Sequence, residues 1–400
     1  MLTIPPTDYR NSYGELPDTA KLNRDLGAPE HGPKALFFSG GSALNGLSRQ
    51  ITDYTHNSIH LITPFDSGGS SAALRDAFDM PGIGDLRHRV LALADQSAPH
   101  NEQLCRLLQY RFSATQTHEA LTQELGEITS GAHALMSAIP SEARAKLTEQ
   151  LSVLSQHLPE NFDLRVASVG NLVLAGGYLA NANDLGASLL CLSELLNIRG
   201  TVHAIVKEPL HLGVHLGNGE SFIGQHLLTG KEHPDIPSPV SSIFLNRSAC
   251  EHNPITVPLD SENSQLIAGA DLICYAPGSF YSSLMANLLP VGVGEAVAKA
   301  SCPKVFVPNL GLDPEQLGMD FSALIQTLTR QLRQGSADEP VSNFLNYVVI
   351  DADRSRYPFP INTDLLKALG VELLELPLVT STSDPYYDDD RLAQVLLSLI

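Results

Sequence analysis

The chain has 400 residues, 43% of them apolar, and sets 25 Lys and Arg against 44 Asp and Glu for a formal net charge of −19. That length and apolar fraction exclude intrinsic disorder and allow a large buried core. The acidic balance argues against nucleic-acid binding or docking on an anionic membrane, because both need a basic face.

Met1 to Gly14 has no charged leader ahead of an apolar block, and no stretch approaches the roughly 20 apolar residues that span a bilayer, so a soluble, cytoplasmic protein is expected. Cys105, Cys191, Cys250, Cys274 and Cys302 are scattered, form no C-x-x-C pair and read as buried thiols.

Residues 1–33 are rich in Pro, Gly, Asn and Asp without a sustained period, and read as an extension lying over the surface or over a partner subunit. A domain is expected over 34–400. It opens with the apolar run Ala35 to Phe38, a helix over Ala43 to Tyr54 and a second run, Ile59 to Ile62, together a βαβ unit. From Glu102 to Leu158 the apolar spacing turns helical, which predicts a three-helix insert at about 100–160, with Ser141 as an N-cap. Alternation then resumes with helices around Leu172 to Leu179 and Ala187 to Leu196 and a strand at Thr201 to Val206. A hairpin is expected over His211 to Gly224, turning at Gly217-Asn218-Gly219. Strands at Leu272 to Tyr275, Lys304 to Val307, Tyr347 to Ile350 and Glu372 to Leu376 lead to a final amphipathic helix, Arg391 to Ile400. The fold class this predicts is α/β: a Rossmann-like, doubly wound, mainly parallel sheet with a helical insert.

Four strings could carry chemistry. Gly40, Gly41 and Ser42 follow the first strand, where glycine amides and a helix start suit an anion, although neither the dinucleotide fingerprint nor a P-loop lysine is present. Asp66 to Ser71 follows the second strand: Asp66 could hold Mg²⁺ or a ligand hydroxyl, while Gly68, Gly69, Ser70 and Ser71 could donate to phosphate oxygens. Asp85 lies beside Arg87, His88 and Arg89, a local positive spot suited to phosphate or carboxylate. Pro277, Gly278, Ser279, Tyr281 and Ser283 repeat the strand, glycine turn and hydroxyl-rich helix start, with Tyr281 able to stack on a ring. Each string also has a plain structural reading as a tight turn, a capped helix or a core aromatic. His211 and His215 read as structural, and Asp384 and Asp388 to Asp390 as acids complementing the last helix.

In this order the strings resemble the superfamily of 2-phospho-L-lactate transferase (CofD) and the gluconeogenesis factor YvcK, from about Ala35 onward. The resemblance continues through Tyr110-Arg111-Phe112, Val169-Gly170-Asn171-Leu172, Ile198 to Val202, Pro277 to Ser283 and Asn287 to Leu289. Ser67 stands where the family has the second acid of an aspartate pair, His88 where it has Asn, and Ser39 and Ala43 where it has glycines. The resemblance implies a nucleotide-diphosphate ligand bearing a small group, a guanine nucleotide or a UDP-sugar, and a homodimer. Asp66, Asp85 and Arg87 would be catalytic, Asp66 would hold Mg²⁺, and Asn171 would join the glycine turns in binding. Two readings stay open. One is a transferase moving a phosphoryl-linked group to an alcohol; the other is a non-enzymatic UDP-sugar-binding regulator.

Overall fold

The computed structural model describes residues 10–11, 14–230 and 234–400. Seven strands form one parallel sheet: β1 (Ala35–Ser39), β2 (Ile59–Ile62), β3 (Thr201–Ala204), and, later in the chain, four more. Between the two groups, β4 (His211–Leu216), β5 (Ser221–Ile223), β6 (Val240–Asn246) and β7 (Pro254–Ile255) make a small antiparallel sheet. The large sheet resumes with β8 (Leu272–Tyr275), β9 (Lys304–Phe306), β10 (Tyr347–Asp351) and β11 (Glu372–Leu376). Its order is β11-β10-β9-β8-β1-β2-β3, with parallel pairing throughout. This is the expected doubly wound sheet.

The strands are near-continuous apolar runs because helices cover both faces. Leu36, Phe38, Ile273, Tyr275, Val348 and Ile350 pack into one cluster, and their alternate neighbours Ala35, Phe37, Leu272, Cys274, Tyr347 and Val349 into another. The second face is covered by the helices Asn45–Ile51 and Asp389–Ser398. The insert folds as the helices Asn101–Gln109, His118–Thr129 and Ser141–His157 with one short added turn, Ala134–Ser137. These share a cluster with Ile62, Val202 and Ala204 at the β2–β3 end of the sheet.

Several expectations need correction. The described part of the 1–33 extension contains a helix that its lack of a sustained period did not predict: Thr19–Gly27, capped by Asp18, with Leu16 and Leu22 buried against the C-terminal helix. The Asp18 N–H donates to Ser398 Oγ at 2.9 Å, which ties the two ends of the domain together. Its lone apolar stripe was too short to register as a period. Ser141 is the first helical residue rather than the cap, which is Pro140. Of the cysteines, Cys274 and Cys302 are buried but Cys250 is exposed. β6 and β7 were not anticipated, because their residues show neither an unbroken apolar run nor clean alternation. No helix among the described residues is long and apolar enough to cross a membrane.

Candidate functional site

β1 lies between β2 and β8, so the chain builds the sheet outward from β1 in one direction and later restarts beside it in the other. At such a switch point the loops leaving neighbouring strands diverge and open a crevice at their C-terminal ends. A cavity of about 220 Å³ lies there, lined by Gly40, Gly41 and Ser42 after β1, by Asp66 and Gly68 after β2, by Asp85, and by Pro277, Gly278, Ser279 and Ser283 after β8.

The turn after β1 is held from behind. Arg89 is fully buried, and its guanidinium donates to the carbonyl oxygens of Gly40 at 3.1 Å and Gly41 at 3.3 Å and to Ser48 Oγ. Burial lowers its pKa to about 10, so it keeps its charge at neutral pH. Gly40 has no room for a side chain, since a Cβ there would lie 2.4 Å from Ser283 Oγ.

The turn after β2 starts the helix Gly69–Phe78, whose first amides carry no side-chain cap; its N-cap, Gly68, faces the cavity. Asp66 Oδ1 accepts the Gly68 N–H at 3.2 Å. Ser71 Oγ accepts the Gly84 N–H at 3.1 Å, and Asn171 donates to Ser70 Oγ at 3.0 Å. Ser70, Ser71 and Asn171 therefore brace the turn, and with Gly69 they stand behind the cavity lining.

The turn after β8 differs from the expectation of an open anion site. Its helix start is occupied by the chain's own carboxylates: Asp313 accepts the Phe280 N–H at 2.8 Å, and Glu315 accepts the N–H groups of Tyr281 and Ser282, each at 2.8 Å. Burial, reinforced by Asp313, pushes the Glu315 pKa up to about 8. Asn309 exchanges two hydrogen bonds with the Gly278 peptide.

Two further expectations fall outside the cavity. Tyr281 is buried beside Phe280, with its hydroxyl 3.5 Å from Met319 Sδ, so its ring is a core element and not a stacking platform. Arg87 is also buried and does not line the cavity: its guanidinium donates to Ser168 Oγ and lies 2.5 Å from His88 Nε2. Burial and Arg87 together lower the His88 pKa to about 4, so the positive spot read from the sequence reduces to buried arginines.

A model of the 2-phospho-L-lactate transferase CofD family matches residues 36–379. The chain belongs to the CofD family. It is 26% identical over 377 residues to the gluconeogenesis factor of Bacillus subtilis, covering 92% of this chain and 98% of that one. It is equally identical over 388 residues to a putative gluconeogenesis factor of Thermoanaerobacterium thermosulfurigenes, with the same coverage. A solved UPF0052-family structure from Bacillus halodurans shares the fold with a TM-score of 0.65 at 21% identity, over 92% of this chain and 99% of that one.

In this CofD-family chain, Ser67 spends its hydroxyl on a residue the sequence did not flag. Ser67 Oγ accepts the His226 N–H at 3.2 Å and lies 2.8 Å from its Nδ1. Gln225, His226 and Thr229 reach the cavity from the short helical turn after β5. Nothing local in Gln225 to Thr229 marks a site; only the return of the antiparallel sheet to the crevice brings them there.

Proposed function

We propose that the crevice binds a nucleotide diphosphate bearing a small attached group, together with Mg²⁺, and that binding rather than group transfer is the protein's role. One observation carries this reading. The uncapped start of the helix Gly69–Phe78, the uncapped three-residue turn Ser42–Leu44 and two carboxylates, Asp66 and Asp85, line one cavity whose described lining includes neither Lys nor Arg. Backbone amides at such starts suit diphosphate oxygens, but diphosphate charge beside two carboxylates calls for a cation.

Asp66 and Asp85 present hard oxygen donors, and Mg²⁺ is commonly shared between one or two carboxylates and phosphate oxygens. The described residues hold no cluster of three or more metal-ligating side chains, which suits a metal arriving with the nucleotide. When bound, it would neutralise the diphosphate. Arg87, expected to stabilise charge in a transfer step, is turned to Ser168, and Ser67 has no carboxylate.

A second reading is favoured by the presence of both Asp66 and Asp85 at the cavity. A transferase could use one to hold Mg²⁺ and the other to take the proton of an attacking alcohol as its oxygen bonds to the terminal phosphorus and the P–O–P bond breaks to release the nucleoside monophosphate. Calorimetric titration with GDP, UDP and UDP-glucose, with and without Mg²⁺, tests the binding, and ³¹P NMR with alcohol acceptors tests turnover. Saturable Mg²⁺-dependent binding without a new phosphorus species is expected. Product formation in the parent, lost in Asp66→Asn, would replace the binding reading by the transferase.

A further inference from the structure

A groove of about 400 Å³ runs along one edge of the parallel sheet, between β3 and the helix Leu185–Leu195, and shares no lining residue with the crevice. β3 is the terminal strand and pairs only with β2. Thr201 and Ile205 donate their N–H groups to the carbonyls of Ser58 and Ile62 at 2.8 and 2.9 Å, which turns the backbone of Val202 and Ala204 outward. The Ala204 carbonyl accepts from Asn263 Nδ2 at 2.9 Å. The Val202 N–H and C=O and the Ala204 N–H have no partner among the described residues.

A bare edge of this kind is a template for another strand, and folded chains commonly blunt it with lysine, proline or a covering segment. β3 reads Thr-Val-His-Ala, and the helix Leu185–Leu195 stands off from it, leaving the strand as the floor of the groove.

The walls select the occupant. Val202 and Ala204 are 5% and 3% exposed, below a wall on which Leu190 is 59% exposed. Two floors recessed in this way cannot approach to the roughly 4.8 Å of paired strands, so a second folded copy does not fit edge to edge, whereas a single extended chain does. Leu189, Leu190 and Ile198 make the wall apolar. At the C-terminal end of β3 the groove sets Asp184 and Glu262 against one cation, Lys207, which already lies 2.9 Å from Glu262, in a chain of net charge −19. Positive charge on the occupant complements that end.

We propose that this groove binds an extended peptide segment of a partner protein, added antiparallel to β3 as an eighth strand of the sheet, with alternate apolar side chains against Leu189, Leu190 and Ile198 and a Lys or Arg at its N-terminal end facing Asp184 and Glu262. The outward backbone groups of Val202 and Ala204 supply affinity, and the wall supplies selectivity. The proposal does not depend on what the crevice binds.

Panning a displayed library of random decapeptides against the full chain tests it. Enriched sequences should alternate apolar and polar residues behind a Lys or Arg. In a synthetic copy of the winning peptide, methylating the backbone nitrogens that face β3 should weaken binding by about tenfold or more, the effect of a lost hydrogen bond, and methylating the alternate set should leave it unchanged. Leu190→Asp should weaken binding to a similar degree at an unchanged melting temperature, because that side chain is mostly in solvent. Glu262→Lys should weaken it about threefold, the scale of an exposed ion pair. The methylation arm uses the parent chain alone and stands even if a variant misfolds.

No enrichment, winners with helical spacing of their apolar residues, or equal effects of the two methylated sets would overturn the proposal. Winners indifferent to both protein variants would bind elsewhere and overturn it too. A parent that sediments as a dimer, dissociated by Leu190→Asp, would give the groove to a second copy instead of a peptide.

Discussion

The Glu315 carboxyl accepts the Ser282 N–H at 2.8 Å, so the helix start behind β8 is capped by an acid from its own chain. The group titrates in an accessible range. Burial, with Asp313 adding to it, raises the folded-state pKa from 4.5 to about 8. Between those values the folded protein holds a proton that the unfolded chain has released, so stability from this group is full below about pH 4.5 and declines as pH rises through about 8. Melting temperatures from pH 5 to 9 should fall across that window in the parent, and Glu315→Gln should flatten the fall. An unchanged slope in the variant would assign the titration elsewhere.

Arg89 links the helix Gly84–Ala92 to the turn after β1 through the Gly40 and Gly41 carbonyls. Arg89→Met would leave these carbonyls and Ser48 without their buried donor. A loss of about 2–4 kcal/mol is expected, the range for breaking a buried charged hydrogen-bond set. Urea unfolding monitored by circular dichroism measures it.

Gly84 gives Asp66 its place. A Cβ at Gly84 would lie 2.2 Å from Asp66 Oδ2 and 2.8 Å from Ser71 Oγ. Gly84 opens its helix and the nearest atoms a Cβ would meet are the ends of two side chains, so Gly84→Ala should cost little global stability while displacing Asp66. Mg²⁺-dependent nucleotide affinity should drop about tenfold or more, a hydrogen-bonded charge being worth about 1.5–3 kcal/mol. Titration with and without Mg²⁺ separates this from a general loss of binding.

Leu22 is buried in the cluster that joins the N-terminal and C-terminal helices. Leu22→Ala should destabilise the whole domain by about 2–4 kcal/mol in a single unfolding transition. A separate early transition in urea would mean that the helix Thr19–Gly27 docks without being part of the cooperative unit.

Much of the fold is legible in the chain itself. Ala35 to Phe38, Ile59 to Ile62 and Leu272 to Tyr275 are short apolar runs ending in glycine or hydroxyl turns, and that pattern is local, so the strands and their order of appearance can be read directly. The glycine turns and Asp66 are legible for the same reason: a strand end followed by Gly and Ser is a local event. β6 is not legible, because its pairing with β4 depends on a partner distant in sequence.

The sequence by itself determined the α/β class, the parallel strands, the helical insert and the residues that approach the switch point. Tertiary structure alone decided which of those residues face the cavity. Arg87 and Tyr281 carry suitable chemistry, but their backbones direct them to Ser168 and Met319. The helix start after β8 looks open in sequence and is closed by Asp313 and Glu315 from beyond β9. Gln225 and His226 reach the crevice only because the antiparallel sheet returns to it. Residue type and local spacing set what a side chain can do; the direction it points, and whether a distant group has already claimed its hydrogen bonds, are set by packing between segments that the linear order keeps apart.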